Sequence, residues 1–270
     1  MLRGVTSDNG IVVTALGATP IKGLRVVAAT SLTLDASGAP DNRRFYLVDD
    51  RNRMVNGTNI GELSTVVADY HHDTRALALT FEDGCIVTGT VDVGEQIDTR
   101  FFSRPSRARP VLGPFSDALA EHIGRDLRLV EPVGRTAVDR GRGGGVSLMS
   151  RASLAALAQA AGEPTVDARR FRMLIEIDGV PAHEEDAWIG SNVRIGEALV
   201  RFGGHVGRCL ITSRDPESGV VDLPTLDVIR DYRADVEATE PLPFGVYGEV
   251  LQGGVVSVGD AVAVEGAGGT

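Results

Sequence analysis

Few residues of this chain have obvious chemical potential. In the stretch Gly204 to Pro216, GHVGRCLITSRDP, Cys209 directly follows Arg208, and the chain has only one other cysteine, Cys85. A thiol in that setting can be a metal ligand, a nucleophile or core filling, because free cysteine also packs as a small apolar residue. Of the 27 basic side chains 26 are arginine and one, Lys22, is lysine, which singles out a place where a compact ammonium replaces the planar guanidinium fork. His205 precedes Cys209 at a spacing zinc can use, yet two ligands do not make a closed site. His71-His72-Asp73 lies between two alternating apolar stretches and reads as a polar hairpin tip. His183-Glu184-Glu185-Asp186 lacks the second histidine of a zincin helix and follows the turn signal Gly179-Val180-Pro181, so a solvated loop or a helix-capping acid is expected there. The chain has no P-loop and no nucleophile elbow, and the glycines from Gly141 to Gly145 do not match a dinucleotide fingerprint.

Those side chains have to be positioned by short strands. Ile11 to about Val130 contains IVVTALGA, LRVVAATSLTL, RRFYLVDD, STVVADY, ALALTF and CIVTGTV, separated by Gly, Asp and Asn turn signals. Gly113 to Leu129 fits a helix capped by Ser116, with Leu119, Ile123 and Leu127 at helical spacing and an exit at Gly124. The segment from Glu131 to Gly145, rich in glycine and arginine, has the composition of a mobile connector or functional loop, and a boundary is placed here, between residues 1–133 and 134–270. A second helix begins near Ser150 or Ser153, after which strands resume in FRMLIEID, VRIGEALVRFGG, RCLITSRD, FGVYGEVLQ and VVSVGDAVAV. Regular short strands in both halves predict a mainly β protein built from barrels rather than βαβ units, with a few helices at the margins.

The 270 residues, 43% of them hydrophobic, allow one large domain or two modest ones with a buried core. A net charge of −10 argues against nucleic-acid binding by the protein as a whole, while a local basic pocket for a small anion is compatible with it. The first ten residues lack a signal-peptide pattern and no window approaches membrane-spanning length, so a cytoplasmic protein without membrane association is expected, its two cysteines reduced.

Several of these segments, in order, resemble the family built from a MOSC domain, the C-terminal domain of molybdenum-cofactor sulfurases, preceded by its N-terminal β-barrel domain. In the first half the resemblance runs through ATPIKGLRV and NRRFYLVDD; in the second through SLAAL, FRMLIEIDG, HEEDAW, VRIGEALV, GRCLITSRDPESG, LDVIRDYR, PFGVYGEV and VSVGDAV. It implies a molybdenum cofactor (Mo-molybdopterin), whose metal takes Cys209 as thiolate ligand and whose phosphate is held by Lys22, Arg44, Arg172 and Arg208. Arginine forks with one lysine suit a phosphate dianion, a thiolate suits a soft metal, and the adjacent Arg208 favours the thiolate form. Tyr247, in PFGVYGEV, is placed in the metal pocket or in packing. Two departures stand out: relatives read Phe-Arg-Pro-Asn where this chain has Phe171-Arg172-Met173-Leu174, and GRGGGVSL replaces an Asp-x-Ser-Pro type segment.

The function implied by this resemblance is an oxidoreductase acting on N-oxygenated small molecules with electrons from a separate donor protein, since two cysteines cannot hold an iron–sulfur cluster. A sulfur-carrier module using Cys209 as a persulfide is the alternative from another class, and a structural interaction domain without chemistry is the third. Lys22 and Arg44 as surface charges and Cys209 as core packing are the corresponding plain readings.

Overall fold

The computed structural model describes residues 10–134 and 139–265. The first nine residues, on which the signal-peptide reading falls, and residues 135–138 of the glycine- and arginine-rich segment lie outside the described residues.

The chain is mainly β, with helices at Phe115–Ile123, Arg151–Ala161 and Thr225–Tyr232 among the described residues. Its largest sheet has eight strands in the order Val262–Glu265, Asn192–Ile195, Ala198–Gly207, Pro243–Gln252, Val146–Ser150, Ile175–Asp178, Val12–Ala18 and Val27–Ala29. Two strands of this sheet come from the first fifth of the chain, so the N-terminal segment is woven into the C-terminal sheet. A second sheet runs Ile97–Phe101, Arg104–Leu112, Arg128–Pro132, Tyr46–Val48 and Met54–Val55, and a third is the meander Val67–His71, Ala76–Thr80 and Ile86–Thr90.

The sheets are not closed barrels, which corrects the expectation from strand spacing. In the first sheet the strand next to the end, Val12–Ala18, meets the opposite end through the bridge Val12 to Ala261 and three backbone hydrogen bonds between residues 11–13 and 259–262, and in the second the ends meet at the bridge Arg53 to Arg100. Pairing on that side stops where the facing chain turns at Gly259, φ 94°, while on its other side Val12–Ala18 shifts register against Ile175–Asp178 between Val13 and Ala15. One βαβ unit is also present: Val146–Ser150 and Ile175–Asp178 pair in parallel, joined through the helix Arg151–Ala161.

Cores form on either side of the seam between the halves. Phe45, Leu47, Leu63, Leu77, Leu79, Phe115, Leu119 and Leu129 fill the first, and Leu148, Ile175, Ile177, Val193, Val200, Phe202 and Val246 the second. Fully burying a side chain of this size contributes roughly 1.5–3 kcal/mol. Val13, Leu16 and Leu34 join the second core, which fastens the N-terminal strands to it.

Two helix starts illustrate the local logic. Ser150 caps Arg151–Ala161 by accepting from the Ser153 amide, and Gly162 ends that helix in the left-handed conformation. Ser116 does not cap the first helix: its hydroxyl accepts from the Leu129 amide at 3.0 Å, tying the helix to the following strand, and Leu127 lies beyond the exit at Gly124.

Candidate functional site

The seam between the halves gathers the cations. Lys22 follows Val12–Ala18 and is fixed by its amide donating to Phe45 O at 2.9 Å. The residue is 6% exposed, and Nζ lies 2.5 Å from Asp139 Oδ1 and 5.6 and 5.4 Å from the ring centres of Phe101 and Phe102. Burial pushes the Lys22 ammonium down to about 8, against the attraction of Asp139. Asp139 is held below the usual carboxylate range; burial opposes this, and Lys22 and Arg43 outweigh it. The plain reading of Lys22 as a surface charge is therefore overturned.

Arg172 ends the short 3-10 turn Ala168–Phe171 in the left-handed region, φ 53°, and its Nη2 donates to Leu24 O at 2.5 Å across the seam. Arg43 shares that unusual backbone, φ 53°, and donates from Nη2 to Arg172 O at 3.2 Å. Two non-glycine residues in this region, joined to each other, are the kind of local strain that concentrates at functional sites.

Arg208 leaves the end of Ala198–Gly207 and stacks over Phe171, 5.1 Å from guanidinium carbon to ring centre. It donates to Phe171 O, Phe244 O and Met173 Sδ, each at 2.9 Å. Burial lowers Arg172 and Arg208 to about 9 each; Arg43 lowers Arg172 further, and a charge at Cys209 works in the opposite direction on both. Among the described residues none of Arg43, Arg172 and Arg208 has a carboxylate in ion-pair range; their placed donors go to carbonyls and a thioether. Arg43, Arg172 and Arg208, with Asn42, Leu174 and Tyr247, line a cavity of about 50 Å³.

Tyr247 sits in this wall with Arg140 stacked over it at 4.5 Å, and Arg140 pairs with Glu240, Nε to Oε1 at 2.9 Å. Gly204 makes room for the tyrosine: a Cβ there would lie 2.6 Å from Thr239 Oγ1 and 2.9 Å from the Tyr247 hydroxyl. Cys209 is exposed and reduced, with Sγ 3.4 Å from Thr58 Oγ1 of the first half, so the core-packing reading fails for it. Cys85 is exposed and free as well.

Arg44 is placed elsewhere. It pairs with Glu131 at 2.7 Å and lies over Tyr70, inside the first half and off the cavity. Its neighbour Arg43 stands where a seam cation was expected; the dipeptide was legible, but which arginine faces the seam depends on the left-handed turn at Arg43. Asp139 and Arg140 went unrecognised inside the segment read as a connector or functional loop. The described part of that segment is docked: Arg104 donates to Asp139 O at 2.5 Å, and Gly145 packs so closely that a Cβ would lie 2.8 Å from Gly38 Cα.

The histidine motifs resolve differently. His71-His72-Asp73 is the tip of the hairpin Val67–His71 and Ala76–Thr80, as expected. In His183-Glu184-Glu185-Asp186 the helix-capping acid is present: Glu184 is exposed, whereas Glu185 is fully buried, its Oε1 accepting from the Ser150 amide at 3.0 Å and from Ser153 Oγ at 2.7 Å. Asp186 pairs with Arg233 at 2.5 Å and faces His205 Nε2 at 3.6 Å. His205 is thereby held in the interior, 4% exposed, while Cys209 is on the surface, and no group of three metal-ligating side chains exists among the described residues.

Among the described residues no helix is long and apolar enough to cross a membrane. A family model described as the MOSC domain matches residues 137–263. Mitochondrial amidoxime-reducing component 1 of Xenopus laevis is 35% identical over 124 residues, 43% of this chain and 35% of that protein. Mitochondrial amidoxime reducing component 2 of Bos taurus is 34% identical over 124 residues, 43% of this chain and 36% of that protein. The match thus spans about a third of the length of these relatives. Among solved structures, the YUAD protein from Bacillus subtilis aligns over 94% of each chain at 12% identity and a TM-score of 0.44. The match to the MOSC domain thus covers a little under half of this chain, residues 137–263, in its second half.

Proposed function

We propose that the protein is a molybdenum-cofactor-dependent oxidoreductase, with residues 1–133 and 134–270 meeting at the cofactor site. The observation that supports this reading is the charge imbalance at the seam. In a chain of net charge −10, the cations Lys22, Arg43, Arg172 and Arg208 are brought together, and among the described residues the carboxylates that act on them are Asp139, paired with Lys22, and Glu240, paired with Arg140. Burying like charges is unfavourable unless an anion completes the site.

The donor chemistry fits the anionic end of the cofactor. Lys22, Arg43, Arg172 and Arg208 would hold its phosphate, with Arg44 tied to Glu131 behind them. The cavity is the size of a small anion, so a larger group anchored there extends beyond it. Where relatives carry an amide, Leu174 supplies an apolar wall, and its amide is taken by Ser147 Oγ at 3.0 Å. Cys209 would be the metal's thiolate ligand, with Thr58 Oγ1 positioned to donate to Sγ. Tyr247, fixed under Arg140, would bound the reaction pocket. When bound, the cofactor supplies two-electron chemistry at the metal, and the relatives named for amidoxime reduction suggest N-oxygenated small molecules as substrates. Electrons would come from a separate donor protein.

Molybdenum analysis of protein produced in a cofactor-competent host tests the proposal. Near-stoichiometric metal in the wild type, lost in Cys209→Ala, is expected; metal-free wild type sinks it. The exposure of Cys209 and the apolar Leu174 favour a second reading, a sulfur carrier with Cys209 as persulfide. A mass increase of one sulfur atom at Cys209 after incubation with a cysteine desulfurase and cysteine is its signature.

A further inference from the structure

We propose that a groove on the face formed by Val27–Ala29 and Val67–His71 binds an extended, basic peptide segment of a partner protein by strand addition. Val27–Ala29 is the terminal strand of the eight-stranded sheet, and Val67–His71 the terminal strand of the three-stranded one. Each pairs on one side alone among the described residues, the first with Val12–Ala18 and the second with Ala76–Thr80. Both border a cavity of about 640 Å³.

The lining shows how they border it. Residues 27, 28 and 29 all face the cavity, as do 67, 68, 69 and 70. Successive side chains of a strand point to opposite faces, so runs of consecutive residues on one groove mean that the strand edges themselves, with their unpaired N–H and C=O groups, form its walls. The walls are joined where the Arg25 amide donates to Val66 O at 3.0 Å, just before both strands begin. The longer edge has five residues, enough for a peptide strand of roughly 17 Å.

The occupant is indicated by charge. Asp41 and Asp69 lie on the groove, with His72 bound to Asp41 at 3.1 Å, and no lysine or arginine lines it although the chain has 27 of them. Leu32, Pro40 and Tyr70 supply apolar surface for the alternate side chains. Backbone pairing to an edge, small apolar pockets and acidic rims select an extended segment alternating apolar and basic residues. This groove meets the seam cavity at Asn42, which lines both, and does not rest on the cofactor reading.

The test is fluorescence anisotropy with a labelled heptapeptide of alternating lysine and valine at physiological ionic strength. Saturable binding is expected, reduced at least tenfold when alternate backbone amides of the peptide are N-methylated, which preserves charge and removes strand pairing. Asp69→Lys, at an exposed side chain, should also weaken binding at least tenfold with an unchanged melting temperature. Equal binding of the methylated peptide, unchanged binding to Asp69→Lys, or no binding overturns the proposal. So does a concentration-dependent dimer that blocks the peptide, which would give the groove to a second copy of the chain.

Discussion

Lys22 offers the sharpest energetic test of the seam. Its ammonium is buried against Asp139, and burial lowers it from 10.5 to about 8 in the folded protein. That difference corresponds to about 3 kcal/mol. Below about pH 8 the lysine is charged in both folded and unfolded chains, and the folded state bears the whole penalty. Between 8 and 10.5 the folded lysine is neutral while the unfolded one still holds its proton, so unfolding takes up a proton and stability rises with pH. Above 10.5 the penalty is gone. Urea denaturation of wild type and Lys22→Met from pH 7 to 10.5 reads this directly: relative to the variant, the wild type should gain about 3 kcal/mol across that window. Saturating phosphate, by stabilising the charged form, should flatten the rise. Parallel pH profiles for the two proteins would refute the claim that a desolvated lysine faces the seam.

Other expectations follow from single contacts. Gly145→Ala forces a Cβ to 2.8 Å from the Gly38 backbone and should cost about 1–3 kcal/mol in urea denaturation. Glu185→Ala strips the buried Ser150 amide and Ser153 hydroxyl of their acceptor and should cost about 2 kcal/mol or more, seen as a lower melting temperature. Phosphate at a hundredfold excess over its dissociation constant should stabilise the wild type by about 2.7 kcal/mol in thermal unfolding. Arg172→Met should lose most of that gain.

How much of this was legible in sequence depends on the range of the interaction involved. Strands and hairpins follow from local alternation, so the tip at His71-His72-Asp73 and the second helix, with its cap at Ser150, were readable. How far the sheets close was not, because contacts such as Val12 to Ala261 join residues far apart in the chain. Glu185 shows the same limit: the acid was readable as a cap, but its burial depends on Ser150 and Ser153 of another element. At the site, Cys209 and Arg208 were conspicuous through rarity and adjacency. Arg43 was hidden beside Arg44, because a left-handed backbone at φ 53° decides which guanidinium reaches the seam. Asp139 was masked by the glycines and arginines around it, although its ion pair with Lys22 spans the two halves.

The central claim assigns two tasks to neighbouring groups: the cations hold an anionic cofactor, and Cys209 holds its metal. Pterin fluorescence and molybdenum content, measured together on wild type, Cys209→Ala and Arg172→Met from one cofactor-competent host, separate them. Pterin and metal near one per chain in the wild type, pterin retained without metal in Cys209→Ala, and both lost in Arg172→Met are predicted. Wild-type protein without either, or an Arg172→Met protein that keeps its full complement of both, would contradict the account.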